Sequence, residues 1–352
     1  MPVDIYRKLA EHLDNLPGGF PATEKGVELR ILRRLFNPNE AELALHLRLM
    51  PEESKVIADR AKIAPEEATQ RLEKMARKGL VYRMERQGIA TRYMANQYVV
   101  GIMEFQVNNI DLDLINDMNE YMPTLLDEAW KFPQKRTIPV ARSLTHEHTV
   151  LPYERADELV RVHNKFLVAP CMCFRKHIML GKSCKKPEET CLILGDAADY
   201  YLLNGLGRLI DLQETLDILN LAEETGLVFQ PSNAKKPANI CLCCGCSCVV
   251  LNHIKHHSRP ASLVSSPFVA TVNIDTCVGC GKCLDRCQME ALKLNDDTVA
   301  LDVARCIGCG LCVTTCPTGS LSLLRKSEPE QPEVPKNMME IAIKLGRVRG
   351  KL

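Results

Sequence analysis

A repeated run of cysteines near the C-terminus constrains this chain more than any other feature. CVGCGKCLDRC (277–287) and CIGCGLCVTTCP (306–317) carry their thiols in one register, C-x2-C-x2-C-x3-C. In such a run three closely spaced thiolates wrap one face of an iron–sulfur cubane, and the fourth, on the short helix that follows, turns away to ligate the other cluster. The pairing therefore crosses over. Cys277, Cys280, Cys283 and Cys316 are assigned to one [4Fe–4S] cluster, and Cys306, Cys309, Cys312 and Cys287 to the other. Gly279, Gly281, Gly308 and Gly310 suit the tight backbone that wraps such clusters with its N–H groups toward sulfur. Paired zinc ribbons would want two C-x2-C pairs split by a knuckle-like spacer, and the continuous triplets argue against them.

On these motifs the region resembles the bacterial two-cluster ferredoxin domain, and the resemblance implies one-electron transfer. One departure is visible. Pro317 follows the last cysteine of the second run as the family pattern expects, whereas Gln288 follows Cys287. Gln288 removes no ligand but changes the local hydrogen bonding available.

The chain has 17 cysteines, and none precedes Cys171. Its N-terminus, MPVDIYRKLAEHLDN, mixes both charge signs without an apolar core, and no stretch approaches a membrane span, so a cytoplasmic location is expected. In a reducing compartment, thiols at this density point to metal or redox roles. Cys171, Cys173, Cys184 and Cys191 form C-x-C-x10-C-x6-C, interleaved with Arg175, Lys176, His177, Lys182, Lys185 and Lys186, whose charge offsets that of thiolates. Cys241, Cys243, Cys244, Cys246 and Cys248 crowd into CLCCGCSC, too close for all five to reach one cubane. These nine middle cysteines suffice for one or two further [4Fe–4S] clusters with at least one thiol left over. Zinc is the alternative, since thiolate-rich sites suit both. His253, His256 and His257 in HIKHHSRP read as a basic exposed turn rather than zinc ligands.

The expected fold class is α+β and multidomain. Residues 1–100 read as a winged-helix-like α+β domain, 101–165 as a helical connector, 166–262 as a helical cysteine-rich metal-binding domain, 263–326 as the two-cluster ferredoxin domain, and 327–352 as an exposed tail with a short helix. EESKVIADRAK and PEEATQRLEKMARK read as helices, the second with Pro65 in its first turn and Gly79 at its stop. LVYRMERQGIATRYMA follows as two extended runs around Gln87-Gly88. This order resembles the winged-helix domains of many bacterial regulators. Its DNA-reading helix would hold Arg71, Lys74, Arg77 and Lys78 against Glu66, Glu67 and Glu73, a weak grip on phosphate that Arg83, Arg86 and Arg92 improve somewhat. The formal net charge of +1 excludes a chain-wide attraction to nucleic acid or anionic lipid. His146 and His148 in THEHT read as a surface loop. GRLIDLQETLDILNLAEETG reads as a spacer helix, with Leu212, Leu216, Leu219 and Ala222 on one face, Asp211 and Glu214 at its start and Gly226 at its stop. FVATVNI reads as a strand leading into the cysteine runs.

As a whole the chain resembles iron–sulfur proteins of anaerobic bacteria that join a helical N-terminal region, a cysteine-rich middle and a two-cluster ferredoxin domain. That resemblance implies an electron-transfer protein, or the electron-transfer subunit of an anaerobic oxidoreductase, with no catalytic site of its own. GLGRLI (205–210) lacks the third glycine of a nucleotide fingerprint, so electrons must pass to and from redox partners. A different reading is a redox-responsive DNA-binding regulator; another is an enzyme whose middle cluster keeps an open iron.

Overall fold

The helices of the first hundred residues form where apolar residues recur at helical spacing, and Asp4 and Asn37 cap two of them with their side chains. The computed structural model describes residues 4–86, 88–145 and 149–352, so Gln87 and the His146–His148 stretch lie outside the described residues. Ile5–Asp14, Val27–Leu35 and Pro38–Ala44 open the chain, the last closed by a reciprocal capping box between Asn37 and Glu40. Helices Ser54–Ala61 and Pro65–Arg77 follow, then strands Val81–Arg86 and Ile89–Ala95 pair as an antiparallel hairpin. A two-residue strand, Glu52–Glu53, adds to the hairpin opposite Arg92 and Tyr93.

A long helix, Leu112–Ala129, is capped by Asp111, whose carboxylate accepts from the Leu114 N–H at 2.7 Å. It lies against Val27–Leu35. Arg30 and Arg34 reach across to the same carboxylate, Asp117, at 3.0 and 2.9 Å. This helix carries the core onward to Trp130 and Lys135, which face the cysteine-rich region.

The middle region differs from the helical domain that its sequence suggests. Its centre is a five-stranded sheet in the order Arg208–Ile210, Phe166–Pro170, Glu189–Leu194, Asn239–Cys243, Val228–Pro231, each neighbouring pair antiparallel. Helices flank it. The spacer helix runs from Leu212 to Thr225, with Asp211 accepting from the Glu214 N–H at 2.8 Å and Gly226 ending it at φ 80°. Ahead of the sheet, a 3₁₀ turn at Pro152–Glu154 leads into a short helix, Ala156–Arg161. HIKHHSRP is likewise not a simple exposed turn, because His253 and His256 occupy the last turn of helix Val249–His256.

In the C-terminal region strand Phe268–Val272 pairs antiparallel with Leu321–Arg325, and Leu292–Asn295 pairs with Thr298–Leu301. Between them lie a short helix, Lys282–Arg286, and a 3₁₀ turn, Val313–Thr315, each leading to the last cysteine of its run. The tail does not stay exposed throughout. Helix Met338–Val348 buries Ile341 and Leu345, and the Arg349 guanidinium then grips the first helix, donating to the Asp14 carboxylate at 2.6 Å and the Leu16 carbonyl at 2.9 Å. Among the described residues no helix is long and apolar enough to cross a membrane.

Candidate metal centre

The two C-terminal runs enclose two cavities, and the thiols that line them come from both runs. Cys277, Cys280, Cys283 and Cys316 surround one, of about 320 Å³ of atom-free space. Cys287, Cys306, Cys309 and Cys312 surround the other, of about 390 Å³. The fourth thiol of each run thus lies with the three of its counterpart. The chain can fold this tightly because its glycines take left-handed backbone: at Gly308 (φ 68°) a Cβ would lie 2.2 Å from the Phe268 carbonyl oxygen, so no side chain is accommodated. Backbone N–H groups point at sulfur, Ala270 to Cys306 Sγ at 3.3 Å and Ala291 to Cys287 Sγ at 3.2 Å. Burial pushes the Cys309 thiol up to about 12 and Cys312 well above the ordinary range. At Cys316 burial pushes up too, but the Thr318 hydroxyl and the N–H groups of Thr318, Leu321 and Ser320 outweigh it and hold the thiol down at about 7. Four thiols around one glycine-wrapped cavity, fed by backbone donors, are the donor set an iron–sulfur cubane requires.

The nine middle cysteines divide. On the sheet, Cys191 and Cys241 are directly opposed register partners, and Cys243 lies two residues on along the same strand, so all three project from one face. Above that face stand two helix N-termini, with Cys171 as N-cap of Met172–Met179 and Cys248 as N-cap of Val249–His256; Cys173 lies in the first turn of the former. These six thiols form one connected network. Cys173 is electrostatically coupled to Cys171 and Cys248, Cys241 to Cys191 and Cys243, and Cys243 to Cys248. Interaction with these neighbouring thiols holds Cys173 and Cys241 well below the usual thiol range. The partial positive charge of both helix ends further suits anionic sulfur.

The chamber they line holds about 810 Å³ of atom-free space, its mouth included, and its walls add Glu104, Trp130 and Lys135 from the segment that reads in sequence as a connector without chemistry. Lys135 is buried and donates to Asn239 Oδ1 at 2.9 Å, while the Asn239 amide lies 3.7 Å from Cys241 Sγ. Burial pushes the Glu104 carboxyl up to about 8, opposed by the Gly101 N–H it accepts at 2.7 Å. Lys176 is 2% exposed, and its ammonium has no hydrogen-bond partner. No local motif marks Glu104, Trp130 or Lys135, because the sheet and long helix bring them in from far along the chain.

The remaining thiols, Cys184, Cys244 and Cys246, gather on the outer side of the CLCCGCSC loop, although Cys244 also borders the chamber. Of the basic residues interleaved with the first group, Arg175 pairs with Glu188 at 2.7 Å, and Lys186 bonds the Thr225 carbonyl at the end of the spacer helix. His253 lies 3.3 Å from Asp127 and His256 bonds the Asn252 carbonyl.

Gln288 joins the C-terminal region to the middle. Its side chain accepts from the Gly245 N–H at 2.7 Å and donates to the Gly226 carbonyl at 2.9 Å. Gly245 lies between Cys244 and Cys246, and Gln288 follows Cys287, so one amide fastens the two cysteine regions together. Proline could make neither bond. Arg286 reinforces the contact, donating to the Glu224 and Glu223 carbonyls at the spacer helix C-terminus, and the Val140 N–H donates to the Cys309 carbonyl at 3.0 Å.

Comparison with known proteins bears on the C-terminal region. A family model described as a 4Fe-4S dicluster domain matches residues 270–323. A probable ferredoxin of Methanosarcina thermophila is 54% identical over 33 residues, which is 9% of this chain and 57% of that protein, so the match spans little more than half of the relative. Residues 270–323 are a C-terminal 4Fe-4S dicluster ferredoxin domain.

Proposed function

We propose that this protein relays single electrons between redox partners, as a free carrier or as a subunit of an oxidoreductase, through two [4Fe–4S] clusters in the ferredoxin domain and at least one further iron–sulfur centre in the six-thiol chamber. Cys277, Cys280, Cys283 and Cys316 hold one cluster and Cys287, Cys306, Cys309 and Cys312 the other. Cys171, Cys173, Cys191, Cys241, Cys243 and Cys248 provide the chamber's ligands, two more than a Cys₄ cubane needs. A bound cluster supplies a site that gains and loses one electron at a time. The chain's own residues set the conditions: they exclude water, present backbone N–H groups and helix ends to sulfur, and place the amino groups of Lys176 and Lys135 and the buried carboxyl of Glu104 close to the thiols.

The observation that carries this reading is the Gln288 fastening, which ties a cysteine of the ferredoxin domain to the loop forming the chamber wall. A relay needs its centres held at fixed separation, and this contact supplies that. The N-terminal helices and hairpin, in winged-helix order, serve in this reading as a docking module for a redox partner. A DNA-binding role has less support, because several of the basic residues it would use are paired within the chain. Arg83 is buried and pairs with Glu73 and Glu85, Arg86 pairs with Asp196 at 2.8 Å, and Lys78 pairs with Glu40 at 2.6 Å.

Anaerobic reductive titration of the full chain, followed by EPR and by reoxidation with a one-electron dye, tests the proposal. At least three one-electron events per chain are expected, all reversible. Fewer than three, or irreversible bleaching on a single redox cycle, would refute the relay. In parallel, retention on duplex DNA that falls steeply with salt would favour the regulator.

A further inference from the structure

Cys184, Cys244 and Cys246 are spaced differently from every other group of cysteines among the described residues. Cys184 Sγ lies 3.9 Å from Cys244 Sγ and 3.5 Å from Cys246 Sγ, and the latter two are 3.1 Å apart. Three sulfurs at the corners of a tetrahedron around one metal, with metal–sulfur bonds of about 2.3 Å, stand about 3.8 Å from one another. A cubane instead spreads its ligands over four irons and sets them wider. The contrast is internal to this molecule. Among the described residues, no three of the eight ferredoxin thiols come mutually within 4.8 Å, whereas Cys184, Cys244 and Cys246 do, and no histidine or carboxylate joins them at that range.

Their surroundings differ as well. Cys244 is buried, Cys184 half-buried and Cys246 exposed, so the group opens outward. Cys246 lines a cleft of about 1010 Å³ of atom-free space, together with Lys176, His177, Lys182, His253 and His256. The unpartnered ammonium of Lys176 belongs to this wall. A metal held by three protein ligands keeps its fourth position for water or another small ligand, the arrangement of an open rather than a purely structural site. The basic wall selects for anions.

We propose that Cys184, Cys244 and Cys246 bind a single soft divalent metal ion, zinc or ferrous iron, separately from the iron–sulfur centres, with its fourth position open to water or a small anion in the basic cleft. The spacing of the CLCCGCSC loop thereby acquires a division of labour. Cys241, Cys243 and Cys248 face the chamber, and Cys244 and Cys246 face the mononuclear site.

The test is elemental analysis of the anaerobically purified full chain, with acid-labile sulfide measured on the same samples. The wild type is expected to carry one zinc, or one iron in excess of sulfide, and Cys184→Ser and Cys246→Ser are each expected to lose that one metal with sulfide unchanged. Loss of about four irons together with four sulfides would overturn the proposal by making these thiols cubane ligands. An unchanged metal content in both variants would overturn it equally. Cobalt(II) exchanged into the site gives a second readout: tetrahedral thiolate absorption that shifts on addition of azide is expected, and a spectrum indifferent to azide would exclude the open fourth position. Sulfide reports on the clusters and excess metal on the three thiols, so the relay reading and this one fail separately.

Discussion

Replacing Gln288 with alanine should loosen the ferredoxin domain from the middle sheet without removing a single ligand. The side chain makes two hydrogen bonds, at 2.7 Å from the Gly245 N–H and at 2.9 Å to the Gly226 carbonyl, and both glycines are buried. Truncation leaves a donor and an acceptor unpaired away from water, at about 1–3 kcal/mol each, so about 2–6 kcal/mol of docking free energy is at stake. Hydrogen exchange at the Gly245 amide reads this directly. A loss of 2 kcal/mol corresponds to about a 30-fold faster exchange, at tenfold per 1.4 kcal/mol. Gln288→Glu separates the two bonds, since it keeps the acceptor for Gly245 but sets a carboxylate against the Gly226 carbonyl. Iron and sulfide content should match wild type in both variants. Unchanged exchange at Gly245, or loss of a cluster, would refute the assignment of Gln288 as a fastening rather than a ligand-shaping residue.

Other consequences are open to measurement. Gly245→Ala should mimic Gln288→Ala, because a Cβ there would lie 2.7 Å from the Gln288 carbonyl oxygen; melting temperature checks it. Lys176→Met should make the chamber centre harder to reduce, since it removes a buried positive charge beside thiolates; a potential unchanged in redox titration would show that Lys176 carries no charge there. Arg349→Ala should cost about 3 kcal/mol and expose helix Met338–Val348 to proteolysis, through loss of charge-assisted bonds to Asp14 and Leu16. Burial raises the Asp14 carboxyl, but the Phe20 N–H, Lys351 and Arg349 outweigh it and hold it below the ordinary value. Its contribution is therefore present above the unfolded-state pKa and is lost as pH falls through the folded one. The stability gap between wild type and Arg349→Ala should narrow in acid below about pH 4 and stay constant above it, in urea titrations at each pH.

The ferredoxin domain was legible because its ligands are local: eight cysteines in two runs, with glycines where the backbone must turn left-handed. The spacer helix was legible for a similar reason, since Asp211 and Gly226 mark both ends of a helical apolar pattern. The middle sheet was not. FLVAP, ETCLIL and NICLC are five or six residues long, mostly apolar and without clean alternation, so periodicity cannot separate them from buried helix. Without the sheet, the partition of CLCCGCSC is invisible. Strand register sends Cys241 and Cys243 to the face shared with Cys191, and the chain leaves the strand after Cys243, which frees Cys244 and Cys246 to meet Cys184. Glu104, Trp130 and Lys135 were hidden for another reason. They reach the chamber only through tertiary packing, and nothing in their local sequence distinguishes them from an ordinary connector.

The central claim is that iron–sulfur centres occupy the chamber as well as the ferredoxin domain, and an anaerobic count of iron and acid-labile sulfide tests it most directly. At four irons per cubane, at least about 12 irons and an equivalent amount of sulfide per chain are predicted, falling to about 8 of each when Cys173 and Cys241 are both changed to serine. A wild-type chain with about 8 irons and 8 sulfides, unaltered by those two substitutions, would contradict the account.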